Sequence, residues 1–199
     1  MRPITTAERE RLAPVLDETE IPVCVDPELE MIDGFALGGQ AVGWLPGRRR
    51  VVLREEVFES YDNEQLRGLV AHELGHHLGP HTFVSYFAKS VGMVLGVAVI
   101  GGGLLQWLRT WDLWRLAFLL IAAILLLPAL QMWSAAVSRR LEYDANRRAI
   151  ELLGDSAPVE ALLEPRTDEP RPSTIREYYG ELCYPWPHPA DQLAALGEK

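Results

Sequence analysis

The sequence predicts an α+β fold in which a small antiparallel sheet packs against helices and two long apolar helices are inserted. Three observations support this prediction. Short segments at 21–25 and 50–54 carry β-branched residues, a His-Glu-x-x-His pattern lies in a helical stretch at 70–79, and two stretches without charged residues follow at 90–108 and 116–138. The 199 residues, of which 48% are hydrophobic, are enough to bury one core.

Charge and cysteine content narrow the class of protein. The net charge of -9 argues against a nucleic-acid partner. Cys24 and Cys183 lie far apart and fit no Cys-x-x-Cys spacing, so we expect two unpaired thiols in a reducing compartment. Residues 1–12 are charged and lack an apolar segment, which predicts a chain without a cleavable signal peptide that begins in the cytoplasm.

Helix-start signals divide the N-terminal part of the chain. The spacing Thr5-x-x-Glu8 is that of a capping box, which opens a helix to about residue 18. Asp62 or Asn63 caps a second helix, which runs to about residue 78 and ends at Gly79-Pro80. This second helix carries the His-Glu-x-x-His pattern.

The two apolar stretches are long enough to cross a membrane. Their 19 and 23 residues, at about 1.5 Å per residue, span roughly 30 Å of hydrocarbon. The alternative is a buried hairpin in a soluble core, but core helices rarely stay apolar on every face for this length. Positive residues are more frequent on the near side than in the turn at 109–115, so we expect the soluble parts and both termini in the cytoplasm. The near-side residues are Lys89, Arg139, Arg140, Arg147 and Arg148.

The C-terminal part is predicted to be helical with one irregular connection. Helical spacing continues from the second apolar stretch through 139–153. The proline-containing segment 155–172 predicts an irregular connection with a short helical piece at 159–163. Further helices are expected at 174–182 and 190–196.

The His-Glu-x-x-His pattern predicts a metal site. On a helix, the spacing i, i+4 places His72 and His76 on one face, where two imidazoles can bind one zinc ion with Glu73 beside it. The pattern also has chance matches, so an ordinary polar helix face is the alternative when it is taken alone. Because a catalytic zinc site needs three protein ligands and one open position, a further ligand is required.

Two candidates compete for the third ligand. The long metzincin pattern His-Glu-x-x-His-x-x-Gly-x-x-His would place its last histidine at Thr82, and His81 misses that position by one residue. The alternative is an acid from a second helix, and the segment 138–146 supplies Glu142.

At this segment the chain resembles the HtpX-like and CAAX-prenyl-protease group of membrane zinc endopeptidases. Their hallmark is His-Glu-x-x-His, a membrane hairpin and then Ser-Arg-x-x-Glu-x-x-Ala-Asp; this chain has Ser-Arg-Arg-Leu-Glu-Tyr-Asp-Ala-Asn at 138–146. The segment 33–39 is similar to the family's Asn-Ala-Phe-Ala-x-Gly-Gly strand, and His188-Pro189 matches near the end. The resemblance covers about residues 30 to 196.

The resemblance implies a zincin-like metalloprotease domain of the gluzincin type. Its two parts would be residues 1–82 and 139–199, with a transmembrane hairpin inserted at 83–138. The implied function is an integral-membrane zinc metalloendopeptidase of the cell membrane. Its expected partners are the lipid bilayer and protein or peptide substrates, which would add to a sheet edge within residues 39–53. The sequence predicts no oligomeric state.

The resemblance also assigns roles to individual residues. It implies one Zn²⁺ ion per chain, bound by His72, His76 and Glu142, with Glu73 as the general base. His188 occupies the family position of a second electrophile for the oxyanion. A surface histidine in a proline-rich loop is an equal alternative for His188.

Two positions depart from the family pattern. Asn146 replaces an Asp that supports a zinc-binding histidine, so a hydrogen-bond acceptor is kept and its charge is lost. Gln192 stands where an Arg is expected. Many relatives also carry extra spans before the protease domain, so this chain is expected to be a shorter member. Asn146 and Gln192 motivate an alternative function, a non-catalytic zinc-binding membrane scaffold or sensor. The intact Glu73 argues against this alternative.

Overall fold

The computed structural model describes residues 1–29, 38–45, 47–168 and 170–197, which divide into two compact units. Unit 1 contains a sheet and the His-Glu-x-x-His helix. Unit 2 contains most of the two apolar helices. Unit 1 comprises Met1–Phe83, Leu141–Pro170 and Pro187–Lys199, and unit 2 comprises Val84–Arg140 and Arg171–Trp186.

The sheet of unit 1 has four strands in the order β1-β2-β4-β3. They are β1 Arg2–Pro3, β2 Val23–Val25, β3 Gly39–Val42 and β4 Arg50–Leu53. β1 pairs with β2 and β3 pairs with β4 in antiparallel fashion, whereas β2 and β4 are parallel. The predicted antiparallel sheet is therefore wrong for its central pair. The chain forms the end strand β3 before it turns back into β4, so β4 runs in the same direction as β2.

The helices follow most of the predicted signals. The C-terminal helices and the end of the second apolar helix lie where the sequence placed them, whereas β1 and the short helix α2 were not predicted. A 3₁₀ turn follows α6 directly. In chain order, the helices are α1 Thr6–Leu16, α2 Val57–Ser60, α3 Asn63–Leu78, α4 His81–Thr110, α5 Leu113–Leu153, α6 Ala157–Leu163, α7 Ile175–Cys183 and α8 Pro189–Gly197.

Both predicted capping boxes are present. Thr5 Oγ1 accepts the N–H of Glu8 at 3.3 Å, and the Glu8 carboxylate accepts the N–H of Thr5 at 2.7 Å. Asp62 is the cap of α3, because its carboxylate accepts the N–H of Gln65 at 2.8 Å and Gln65 Oε1 accepts the N–H of Asp62 at 3.1 Å. Each box satisfies two backbone donors that have no partner inside the helix. The start of α3 is thus fixed by residues next to it in the sequence.

The core of unit 1 forms around α3. Leu66, Leu69 and Leu74 are fully buried and cluster with apolar side chains of α1, β4 and α6. Gly68 allows α3 to approach α6 closely, because a Cβ at this position would lie 2.0 Å from the carbonyl oxygen of Pro158. Complete burial of one leucine side chain contributes about 1.5–3 kcal/mol. The cluster therefore holds α3 firmly against its neighbours.

Unit 2 is built on two helices that are long and apolar enough to cross a membrane, α4 and α5. Several large apolar residues along them are more than 60% exposed, including Met93, Leu105, Phe118 and Ile124. The alternative of a hairpin buried in a soluble core is not supported, since such a core would cover these side chains. α4 begins at His81, earlier than predicted, and α5 continues to Leu153 as predicted.

Candidate metal centre

Two helices of unit 1 bring three potential metal ligands together. His72 and His76 lie one turn apart on α3, and Glu142 lies on α5. His72 Nε2 is 3.2 Å from Glu142 Oε2, and His76 Nε2 is 3.6 Å from Glu142 Oε1. One potential ligand atom from each of the three residues lies within 4.8 Å of the other two. This donor set of two imidazole nitrogens and one carboxylate fits a zinc ion and leaves a fourth position for water or substrate.

Gly75 allows the two ligand-bearing helices to approach each other. A Cβ at Gly75 would lie 2.4 Å from the carbonyl oxygen of Ala145, closer than real Cβ atoms come to other atoms. Ala145 follows Glu142 by less than one helical turn. The close contact therefore carries the Glu142 carboxylate to the two histidines.

A buried chain of amide groups supports His72. Its Nδ1 donates a hydrogen bond to Asn146 Oδ1 at 2.6 Å, which leaves Nε2 free to face Glu142. Asn146 Nδ2 donates to Gln192 Oε1 at 2.7 Å, and Gln192 Nε2 donates to the carbonyl oxygen of Pro187 at 2.9 Å. Asn146 thus lies where the sequence predicted a supporting residue. Gln192, which the sequence marked only as a departure from the family pattern, holds Asn146 in place.

The charges of the site favour an ionised Glu142. Burial alone would raise the pKa of Glu142, but the charges and hydrogen bonds of His76 and His72 hold that pKa below its usual range. Burial opposes protonation of His72, yet Glu142 raises the pKa of His72 to about 9. A metal ion that binds Nε2 competes with this protonation, because only the neutral imidazole is a ligand.

Glu73 lies between α3 and the end strand β3. Glu73 is 6% exposed, and its carboxylate accepts a hydrogen bond from the backbone N–H of Ala41. A Cβ at Gly39 would lie 3.2 Å from Glu73 Cγ, so a glycine makes room for the acid. Burial raises the pKa of Glu73, which makes the carboxylate a better proton acceptor. Most of the segment at 33–39 that resembles the family's strand lies outside the described residues.

His188 occupies the start of α8. Its backbone carbonyl accepts the N–H groups of Asp191 and Gln192 at 2.9 and 3.1 Å, and its Nδ1 accepts the N–H of Ala190 at 3.2 Å. These contacts cap the helix that carries Gln192. The structure thus gives His188 a place in the support of Asn146, and its predicted oxyanion role stays a prediction.

His81 and Asp144 form a pair that the sequence did not predict. His81 Nε2 lies 2.7 Å from Asp144 Oδ2, and His81 Nδ1 lies 3.2 Å from Nδ1 of His76. His81 therefore lies behind a potential ligand and is not a member of the ligand group. The sequence considered His81 only as a ligand, because its contact with α5 depends on how the turn at Gly79-Pro80 directs the start of α4.

His77 binds the sheet and is not part of the potential ligand group. Its Nε2 donates a hydrogen bond to the carbonyl oxygen of Arg50 at 2.9 Å, and the Arg49 side chain donates to the carbonyl oxygen of His77 at 2.9 Å. These contacts join the end of α3 to the sheet.

The comparison with protein families decides which group this chain belongs to. The model of peptidase family M48 matches residues 10–196. The chain belongs to peptidase family M48. The resemblance inferred from the segments at 72–76 and 138–146 is thereby confirmed. An M48 assignment is consistent with the candidate metal site formed by His72, His76 and Glu142.

Curated M48 relatives are longer proteins. Protease HtpX of Pseudomonas putida (strain GB-1) and Protease HtpX of Stutzerimonas stutzeri (strain A1501) are each 25% identical to this chain over 162 residues. The matches cover 73% of this chain and 52% and 53% of the two relatives, so the chain spans about half the length of the curated relatives it matches. No solved structure matches the chain significantly.

Proposed function

We propose that this M48 chain is an integral-membrane zinc metalloendopeptidase that hydrolyses peptide bonds of membrane or membrane-adjacent proteins. The observation that carries the proposal is the convergence of His72, His76 and Glu142 beside a buried Glu73. A purely structural zinc site has no use for a general base and is usually closed by a fourth cysteine or histidine. The ligand set and the buried acid together favour metal-assisted hydrolysis.

In the proposed mechanism the protein's own groups bind the metal and move one proton. His72, His76 and Glu142 hold Zn²⁺, which when bound supplies Lewis-acid activation of a water molecule and of the scissile carbonyl. Glu73 accepts the proton of the attacking water on its carboxylate and returns it to the leaving amine. The hydrogen bond from the Ala41 N–H holds that carboxylate in place during both proton transfers. We assign His188 to the oxyanion, as the family position implies.

The substrate is proposed to bind as an extended strand along β3. This strand is the last in the order β1-β2-β4-β3, and its Ala41 N–H points to Glu73. A peptide added to this edge would be held through its backbone, with little dependence on its sequence. Its scissile bond would then pass next to the general base.

The membrane location is proposed from the two apolar helices. Exposed apolar side chains along α4 and α5 are expected to face lipid, with the residues 1–82 and 139–199 forming the protease domain on the cytoplasmic side. Resistance of the membrane-bound protein to carbonate extraction tests this location. Release into the soluble fraction by carbonate would contradict it.

The decisive experiment for the activity is hydrolysis of casein by the detergent-purified protein with zinc. Glu73→Gln should lower the rate about 10²–10⁴-fold, the usual contribution of a general base, while zinc content stays unchanged. Glu64→Gln on the exposed start of the same helix is the matched control and should behave as wild type. If the Glu73→Gln variant and the wild type cleave equally while both retain zinc, the enzyme proposal fails.

The second candidate function is a non-catalytic zinc-binding membrane scaffold or sensor. It is favoured by the neutral amides of Asn146 and Gln192 behind His72, where the family pattern has an Asp and an Arg. Zinc analysis of Glu142→Ala against wild type tests the metal site that both functions share. Loss of zinc from Glu142→Ala, together with absence of hydrolysis by a zinc-loaded wild type, would favour the scaffold.

A further inference from the structure

His81 lies in direct contact with the outer nitrogen of His76. The two Nδ1 atoms are 3.2 Å apart, and the His81 ring is 3% exposed, so no bulk water separates them. On its other side His81 Nε2 is 2.7 Å from Asp144 Oδ2. The result is a continuous line of polar contacts from His76 through His81 to a carboxylate.

The hydrogen positions along this line follow from the proposed metal site, on which this inference rests. His76 Nε2 faces Glu142, so a metal bound through Nε2 leaves the proton of the neutral imidazole on Nδ1. Two ring nitrogens form a hydrogen bond only when one donates and the other accepts. His76 Nδ1 therefore donates to His81 Nδ1, and His81 Nε2 must carry the proton that it donates to Asp144.

The carboxylate at the end of this line is itself fixed. Arg148 Nε donates to Asp144 Oδ2 at 2.7 Å, and Arg147 also pairs with Asp144. Asp144 and Arg148 lie one turn apart on α5, the helix that supplies Glu142. The orientation of Asp144 is thus set by the same element that delivers the third ligand.

The two zinc-binding histidines are supported in different ways. His72 donates to the neutral amide of Asn146, whose line of contacts ends at a backbone carbonyl. We propose that His81 and Asp144 are positioning residues that orient His76 for zinc. The line of hydrogen bonds that ends at a carboxylate therefore lies behind His76, and the line behind His72 ends at a backbone carbonyl. Partners of this kind fix the ring orientation and the proton position of a ligand, and their loss typically costs 10–100-fold in metal affinity.

The test is the zinc affinity of the full-length protein in detergent, measured by competition with a chromophoric chelator in a Glu73→Gln background that prevents self-cleavage. His81→Leu should weaken zinc binding about 10–100-fold, because leucine fills the space and makes neither hydrogen bond. His81→Gln should stay within about threefold of the parent, since its amide can accept from His76 and donate to Asp144. Equal losses in the two variants, or no loss in His81→Leu, would overturn the proposal.

Asp144→Asn provides a second route, because this partly exposed position should accept an amide without unfolding. It keeps an acceptor for His81 and removes the charge, so we expect a loss of affinity smaller than that of His81→Leu, about 3–10-fold. Glu151→Gln is the matched control, because it neutralises an exposed acid of the same helix that has no part in the proposed line of contacts; its zinc affinity should match the parent. An affinity unchanged in Asp144→Asn, or lowered as much in Glu151→Gln, would overturn the role of Asp144.

Glu142→Ala separates this inference from the proposed function. If Glu142→Ala loses zinc while His81→Leu binds as the parent does, the metal site stands and only the role of His81 fails. If Glu142→Ala itself binds zinc as the parent does, the proposed site fails and the inference fails with it.

Discussion

The N-terminal half of α3 supplies leucines to the apolar core, whereas the C-terminal half, which still contributes Leu74 to that core, also carries the potential metal ligands His72 and His76. Both halves contain a glycine whose Cβ would collide with the backbone oxygen of another helix, Gly68 with Pro158 and Gly75 with Ala145. Around Gly68 the neighbours are core leucines. Gly75 itself lies within the segment that carries His72, Glu73 and His76, and the residue that it contacts, Ala145, follows Glu142 by three positions. A close helix–helix contact at a glycine therefore stabilises the core in the first half of α3 and sets the position of Glu142 in the second half.

The two ends of α3 also differ in the charge that they favour. The N-terminus of α3 is closed by the Asp62 capping box, which places a negative side chain at the positive pole of the helix. The potential ligand His76 lies in the last turn, where the partial negative charge of the backbone favours a cation. We expect changes in the first half to alter the free energy of unfolding and changes in the second half to alter metal affinity.

The largest expected effect on stability is that of Leu66→Ala. Leu66 is fully buried in the first half of α3, and removal of such a side chain leaves a cavity and costs about 2–5 kcal/mol of unfolding free energy. Thermal unfolding in detergent measures the loss, with Leu66→Met as the control at less than about 1.5 kcal/mol. Zinc affinity of the folded Leu66→Ala protein should be unchanged. Weaker zinc binding by this variant would contradict the inference that the first half of α3 affects stability but not metal affinity.

Gly75→Ala and Gly68→Ala compare the two halves directly. Each added methyl group forces a backbone apart, so both should lose about 1–3 kcal/mol of stability. Only Gly75→Ala moves Ala145 and with it Glu142, so only this variant should also lose zinc affinity, about 10-fold or more. Chelator competition on the folded proteins measures the difference. Equal zinc affinities in the two variants would show that the approach at Gly75 does not set the ligand geometry.

Removal of zinc should lower the local stability of the second half of α3 more than that of its first half. At a zinc concentration 100 times the dissociation constant, binding adds about 2.7 kcal/mol to stability, and this contribution disappears with a chelator. We expect amide hydrogen exchange to rise in the second half of α3 and around Glu142, while amides near Leu66 keep their protection. Glu142→Ala is the control, because chelation should change little in it. Uniform loss of protection along α3 would contradict this.

The elements that sequence reasoning predicted are those that depend on nearby residues. The capping boxes of Thr5 and Asp62 involve partners three positions away, and the apolar helices follow from composition alone. The parallel pairing of β2 with β4 was missed, because it depends on where the chain places β3. In the candidate site, His72 and His76 follow from helical spacing.

Other parts of the site depend on contacts between distant segments. Glu142 was selected through a family resemblance, because helical spacing alone left His81 as a competitor. The pairing of His81 with Asp144 joins residues 63 positions apart and follows from the close approach of α3 and α5 at Gly75. The i, i+4 spacing of Asp144 and Arg148 predicts an ion pair on α5, but it carries no signal for a histidine from another helix.

The smallest predicted effect is that of Asp62→Ala at the start of α3. The substitution removes the acceptor for the Gln65 N–H and the charge at the helix N-terminus, which together cost about 0.5–2 kcal/mol of unfolding free energy. Asp62→Asn keeps the acceptor and should recover most of that loss in the same thermal unfolding measurement. Asp62 and the potential ligand His76 are almost four turns apart on α3, and the leucine cluster lies between them. Zinc affinity should therefore be the same in both variants, and a change in it would mean that fraying of the first turn reaches the metal site.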